Sequence, residues 1–107
     1  MNVDLGPKLL EMLRGMAPTV TRVAVLVNSA NAYTIAMLKI IQASAQKVGI
    51  AILPIDASTP QEIVNGFAAM AREKAGALIV PQEPFFNQQR NQVVELAAKH
   101  RLPSISG

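Results

Sequence analysis

Three short apolar runs, each followed by a stretch of helical period, restrict this chain to few architectures. The runs are Val23 to Val27, Ile50 to Ile55 and Ala77 to Val80. A run apolar at every position, not at alternate ones, belongs to a strand covered on both faces, which is the habit of parallel sheets in α/β proteins. A fourth run, Pro103-Ser104-Ile105-Ser106-Gly107, opens a last strand. Strands alternating with helices predict a three-layer α/β sandwich with a parallel sheet of about four strands. Right-handed crossovers leave few strand orders, and the flavodoxin-like order 2-1-3-4 is the one expected.

The intervening segments carry their own punctuation. Pro7 precedes a helical face of Leu9, Leu10, Leu13 and Met16, which ends at Ala17-Pro18-Thr19. From Asn31 onward Ile35, Leu38, Ile41, Ala45 and Val48 recur at helical spacing, and Gly49 suits the left-handed residue just past a helix end. Pro54 interrupts the second run and demotes it to a sheet edge, since proline donates nothing to a ladder. Thr59-Pro60-Gln61-Glu62 reads as a capped helix start with a capping box, followed by an inner face of Ile63, Phe67, Met70 and Ala71. A final helix is expected from about Asn87 to Arg101, burying Val93, Val94, Ala97 and Ala98.

With 107 residues there is chain for one domain, able to bury roughly 65% of its unfolded surface. Half of it is hydrophobic (50%) and 16% charged, a composition that folds. No apolar run approaches the roughly 18 residues of a membrane span. The net charge of +3 comes from scattered Lys and Arg, with few aromatics, so a nucleic-acid surface is not expected. With no cysteine and a single histidine, His100, no transition-metal site is expected. His100 sits in a last helical turn, where its cation would complement the dipole. The first residues show neither a basic start nor an apolar h-region, so the chain reads as cytoplasmic or as a trimmed piece of something longer.

Ligands of open α/β sheets bind beyond the carboxyl ends of the strands, beside the first one. Four segments should meet there: Asn28-Ser29-Ala30-Asn31, Asp56-Ala57-Ser58, Pro81-Gln82-Glu83-Pro84-Phe85 and Ser106-Gly107. The first hands a strand over to a helix N-terminus, where free N–H groups attract carboxylates. Each candidate has a plainer role beside the functional one. Ser29 or Asn31 serves as a cap or as a ligand contact, and Tyr33 stacks on a ligand or rests on the surface. Asp56 forms a turn or acts as a catalytic group; Glu83 is solvated or functional. Phe85 and Phe86 cannot both face one core from a helix, so one of them covers a cleft or a partner, or packs in a loop. No GxSxG, GxGxxG or GxxxxGK[ST] occurs, and no acid–base pair stands out, so neither catalytic residues nor a cofactor is expected.

The stretches "RVAVLVNSAN" and "ALIVPQEPFFNQQRNQVVELAAKHRLPSIS" resemble the ABC-transporter substrate-binding proteins of the largely uncharacterised amino-acid type. Leu5-Gly6-Pro7-Lys8-Leu9-Leu10-Glu11-Met12-Leu13 looks like that family's opening "GK-L-LL". Phe85-Phe86, Arg90 and Glu95 through Pro103 match its closing "FF--R--I-ELAA-H-LP-I". Ser29 and Glu83 stand where the family often has proline and aspartate. The resemblance implies one lobe, residues 1–107, of a two-lobed binding protein of the periplasmic type I kind, with the first lobe and an export signal or lipid anchor before it and further sequence after it. It implies a small-molecule ligand between the lobes, an amino acid of the tryptophan type or a related carboxylate, and an ABC permease in the membrane as partner. By position, Asn28, Ser29, Asn31 and Ala32 would face the ligand from one side, with Gln82, Glu83 and Phe85 on the other and Asp56 nearby. A dimer formed through surface uncovered by truncation is compatible with this reading.

Three alternatives share the architecture. An effector-sensing lobe of a repressor would be preceded by a DNA-binding helix-turn-helix. A flavodoxin-like enzyme would need a phosphate loop or an acid–base pair, and an interaction domain would need no cleft.

Overall fold

The computed structural model describes residues 11, 15 and 19–106. The expected face of Leu9, Leu10, Leu13 and Met16 lies outside the described residues, as does Gly107. Among the described residues from 19 on, eight elements follow one another: β1 (Arg22–Val27), α1 (Ala32–Val48), β2 (Ala51–Asp56), α2 (Pro60–Arg72), β3 (Ala77–Val80), α3 (Pro84–Gln88), α4 (Arg90–Lys99) and β4 (Ser104–Ser106). The four strands form one parallel sheet in the order β2-β1-β3-β4, as expected.

That order explains where the helices lie. The chain steps from β1 outward to β2, then reverses over β1 to reach β3. With crossovers of one hand, a reversal moves the next helix to the opposite face. Two cores result. Val23, Val25, Val27 and Ile79 point to α1 and meet Met37, Ile41 and Ala45. Ala24, Leu26, Leu78 and Val80 point the other way and meet Ile63, Phe67 and Met70 of α2 with Val93 and Ala97 of α4. β1 is buried from Val23 to Val27, which is why its sequence shows no alternation. β2 is the outer strand, where Pro54, in register with Val25, is tolerated.

Several local expectations shift. On α1 the buried residues are Thr34, Met37, Ile41 and Ala45, whereas Ile35 and Val48 are 37% and 46% exposed. The helix is rotated because Thr34 turns inward to bond beneath the β1 loop. On α2, Ala71 is exposed and Gly66 lies inside. A Cβ on Gly66 would stand 2.6 Å from Ile55 Cγ2, so α2 rests almost directly on β2 there. The single last helix is two, separated at Gln89, because Glu83 caps and Pro84 starts a helix ahead of it. Val93 and Ala97 are buried, while Val94 and Ala98 face outward. Gly49 ends α1 at φ 75°, the left-handed conformation expected of it.

The α2 start also differs in detail. Thr59 accepts from Glu62 N–H at 3.1 Å as a cap should, but Glu62 reaches past Thr59 to the Ser58 N–H (2.8 Å) and hydroxyl (3.0 Å). The hydrogen bond from the Ser58 N–H, more than any other contact, holds the Glu62 carboxyl below its ordinary 4.5. A depressed folded-state value contributes stability above the unfolded pKa and loses it as pH falls through the folded one. Glu62→Gln is therefore expected to melt below the parent at pH 6 and with it at pH 3. A melting difference that stays constant across that range would contradict the assignment.

Candidate functional site

β1 ends in a tight turn that the sequence builds from its own side chains. Asn31 N–H bonds the Asn28 carbonyl at 2.8 Å, and Asn28 Oδ1 accepts from Ala30 N–H at 3.1 Å. Asn31 caps α1 by accepting from Tyr33 N–H at 3.0 Å, which is the plainer of its two expected roles. The Thr34 hydroxyl accepts from Asn28 N–H at 3.0 Å and lies 2.8 Å from the Asn28 carbonyl and 2.9 Å from that of Asn31. Thr34 is fully buried. The sequence reading passed over it because threonine scores as polar; the available signal was a hydroxyl residue in the first turn after an Asn cap, a common partner of local backbone.

The neighbouring strands brace this turn from both sides. On the β2 side Asp56 Oδ1 accepts from Ser29 N–H at 3.1 Å. On the β3 side Glu83 Oε1 accepts from Asn28 Nδ2 at 2.8 Å, and Glu83 Oε2 accepts from Phe86 N–H at 2.9 Å. Asn28 and Glu83 are only 9% and 4% exposed. From Asn28 to Thr34, every backbone N–H but that of Ala32 thus has an acceptor among the described residues. The expectation of a nest of free donors narrows to one N–H at the start of α1.

The structure gathers the candidates at the carboxyl end of the sheet but divides them by availability. Asn28 and Glu83 spend their polar atoms on each other and on backbone. Ser29, Ala32, Asp56 and Gln82 are exposed, and Asn31 is half-buried with its Nδ2 free of protein partners among the described residues. Tyr33, at the same rim, is 45% exposed. Phe86 is buried in the α2–α4 core, whereas Phe85 is half-buried against the same core, its ring centroid 5.7 Å from that of Phe86. Both aromatics thus pack on one core, because α3 is a single short helix lying along it. A separate shallow depression, lined by Pro81, Phe86, Arg90 and Val94 among others, opens beside β3 and the start of α4.

The electrostatics of the rim run against those of the whole chain. Residues 28–33, 56–58 and 81–86 hold two carboxylates, Asp56 and Glu83, and no Lys, Arg or His, although the chain carries +3. Among the described residues no three His, Cys, Asp or Glu side chains come together as metal ligands would.

This architecture is that of the periplasmic-binding α/β proteins. An ABC domain from Streptococcus pneumonia in complex with L-Trp superposes with a TM-score of 0.86 at 19% identity, covering 95% of this chain and 34% of that one. A substrate-binding protein with adhesive properties from Clostridium difficile, ligand-free and open, gives 0.84 at 22% identity, covering 92% and 33%. A fatty acid ABC transporter substrate-binding protein from Thermomonospora curvata gives 0.72 at 15% identity, covering 94% and 27%. The chain spans about a third or less of these proteins. Among curated proteins none matches it. The family model for ABC transporter substrate binding proteins matches residues 3–107, and the chain belongs to that family.

Proposed function

We propose that residues 1–107 form one lobe of a two-lobed solute-binding protein and that its rim receives the charged end of a zwitterionic ligand, an amino acid. The charge of the rim carries this reading. A simple carboxylate brought to the Ala32 N–H and the α1 N-terminus would meet Asp56 with no Lys, Arg or His in residues 28–33, 56–58 or 81–86 to offset it. An amino acid brings its own ammonium. Its carboxylate suits the Ala32 N–H and the Asn31 amide, and its ammonium suits Asp56, whose second oxygen has no protein partner among the described residues. Gln82, Ser29, Tyr33 and Phe85 border the remaining space. Of the similar folds, one is described with L-Trp and another as a fatty acid binder; the rim's charge favours the former chemistry.

The mechanism follows from two lobes sharing one ligand. A ligand that touches both favours the closed arrangement by as much as its contacts differ between the two states, and the closed form is what a membrane permease outside the cytoplasm would recognise. The isolated lobe has half of those contacts and no closure to drive. Nothing in this scheme asks for catalysis.

Calorimetry on the full-length protein with a panel of amino acids, each beside its deaminated carboxylate, tests the reading. Loss of a charge-assisted hydrogen bond of about 1.5–3 kcal/mol predicts binding roughly 10- to 150-fold weaker for the deaminated partner. Equal affinity for L-tryptophan and indole-3-propionate, or binding of the carboxylates alone, would overturn it.

A further inference from the structure

We infer that Glu83 is a positioning residue: its buried carboxylate fixes the orientation of the Asn28 amide, and through it the turn that presents the start of α1. The use of that turn rests on the ligand reading above; the clamp itself rests on geometry.

The choice of glutamate is the first clue. Helix caps are commonly Asn, Asp, Ser or Thr, whose short side chains reach the first-turn N–H groups without further help. Glu83 does cap α3, with Oε2 on Phe86 N–H at 2.9 Å, but α3 is only five residues long and a shorter acid would serve it. The additional methylene carries the other oxygen outward to Asn28 Nδ2, 2.8 Å away and 55 residues distant in sequence.

The Asn28 amide, in turn, is held by partners of opposite polarity. Its nitrogen faces a carboxylate that can only accept, and its oxygen faces the Ala30 N–H, which can only donate. Turning the amide over would set oxygen against carboxylate and NH2 against N–H. Both side chains are nearly sealed from water, at 9% and 4% exposure, so solvent does not compensate a wrong orientation. The chain of dependence is short: Glu83 orients Asn28, Asn28 Oδ1 and its carbonyl hold Ala30 and Asn31 N–H, and the turn so fixed leaves the Ala32 N–H open.

Glu83→Asp in the full-length protein separates clamp from cap. Aspartate keeps a capping oxygen but falls short of Asn28 by about 1.5 Å, one carbon–carbon bond. Amide hydrogen exchange read by NMR should then show Phe86 within about twofold of the parent and Ala30 roughly 10-fold faster, a loss of about one modest hydrogen bond. Affinity for L-tryptophan, or for whichever amino acid of the panel the parent binds most tightly, should fall by a similar factor. Glu83→Gln provides a second arm, since its amide can accept from only one of the two donors and one of the two protections must be lost. Unchanged Ala30 exchange in Glu83→Asp overturns the clamp, whatever happens to the ligand. Faster Ala30 exchange with undiminished affinity overturns the positioning role. A parent that binds no amino acid overturns the ligand reading alone, and exchange still decides the clamp.

Discussion

Asn28→Asp is expected to lower the stability of the folded chain by about 3–5 kcal/mol at pH 7. The substitution exchanges one NH2 for one oxygen, yet it puts a second carboxylate 2.8 Å from Glu83 Oε1 where a donor stood. Both residues are buried, and no Lys, Arg or His stands in the rim segments to relieve the pair. Two carboxylates at that distance ionise together only at great cost, so one takes up a proton that the unfolded chain does not hold at neutral pH. The sign follows. The variant binds more protons folded than unfolded, so its deficit against the parent shrinks as pH falls toward 5. Urea unfolding at pH 7 and pH 5 for parent, Asn28→Asp and Asn28→Ala would show it. A deficit below about 1 kcal/mol at pH 7, or one that grows on acidification, would contradict the contact.

Phe67→Ala should cost about as much, roughly 3–5 kcal/mol, by a different route. Phe67 is fully buried at the centre of the core formed by α2, α4 and the underside of the sheet. His100 lies over it with ring centroids 5.8 Å apart and planes 23° from parallel, closing the end of that core. Removing the ring leaves a cavity bounded by the sheet, which cannot collapse into it without disturbing β1 and β3. His100→Ala should cost far less, under about 1.5 kcal/mol, because the histidine is exposed and gives up only a stacking contact. The urea midpoint of Phe67→Ala decides the matter: a loss below about 2 kcal/mol would mean that the helices lie on the sheet less closely than described.

These residues also mark what sequence could and could not disclose. Strand order was legible because unbroken apolar runs, Pro54 and the alternation with helices leave few topologies open. The rim was legible as a location for the same reason, since topology alone brings Asn28, Asp56 and Gln82 to one end of the sheet. The roles within it were not. Asn28 and Glu83 lie 55 residues apart, and nothing local says that each is the other's partner. Asn31 and Thr34 spend their oxygens on backbone, a use that composition does not distinguish from readiness for a ligand. The helical stripe of α1 was misplaced because Ile35 and Val48 fit the period as well as Thr34 and Met37 do, and only the buried hydroxyl decides the rotation. His100, read as a dipole-compensating surface residue, stacks on a core ring, a contact across separate helices that periodicity does not encode. For testing the proposed ligand contacts, exposed Ser29 and Gln82 are cleaner positions than Asn28, whose loss disturbs folding first, or Asn31, which caps α1.

The bare backbone at Gly66 bears on the rim from behind. Ile55, against which any larger residue there would press, immediately precedes Asp56 in β2, and Asp56 holds Ser29. The height of that carboxylate is thus set partly from the far side of the sheet, by how low α2 can ride. A larger residue at position 66 would therefore press on the Asp56–Ser29 bond, and on the proposed ligand rim, from the opposite face of the sheet.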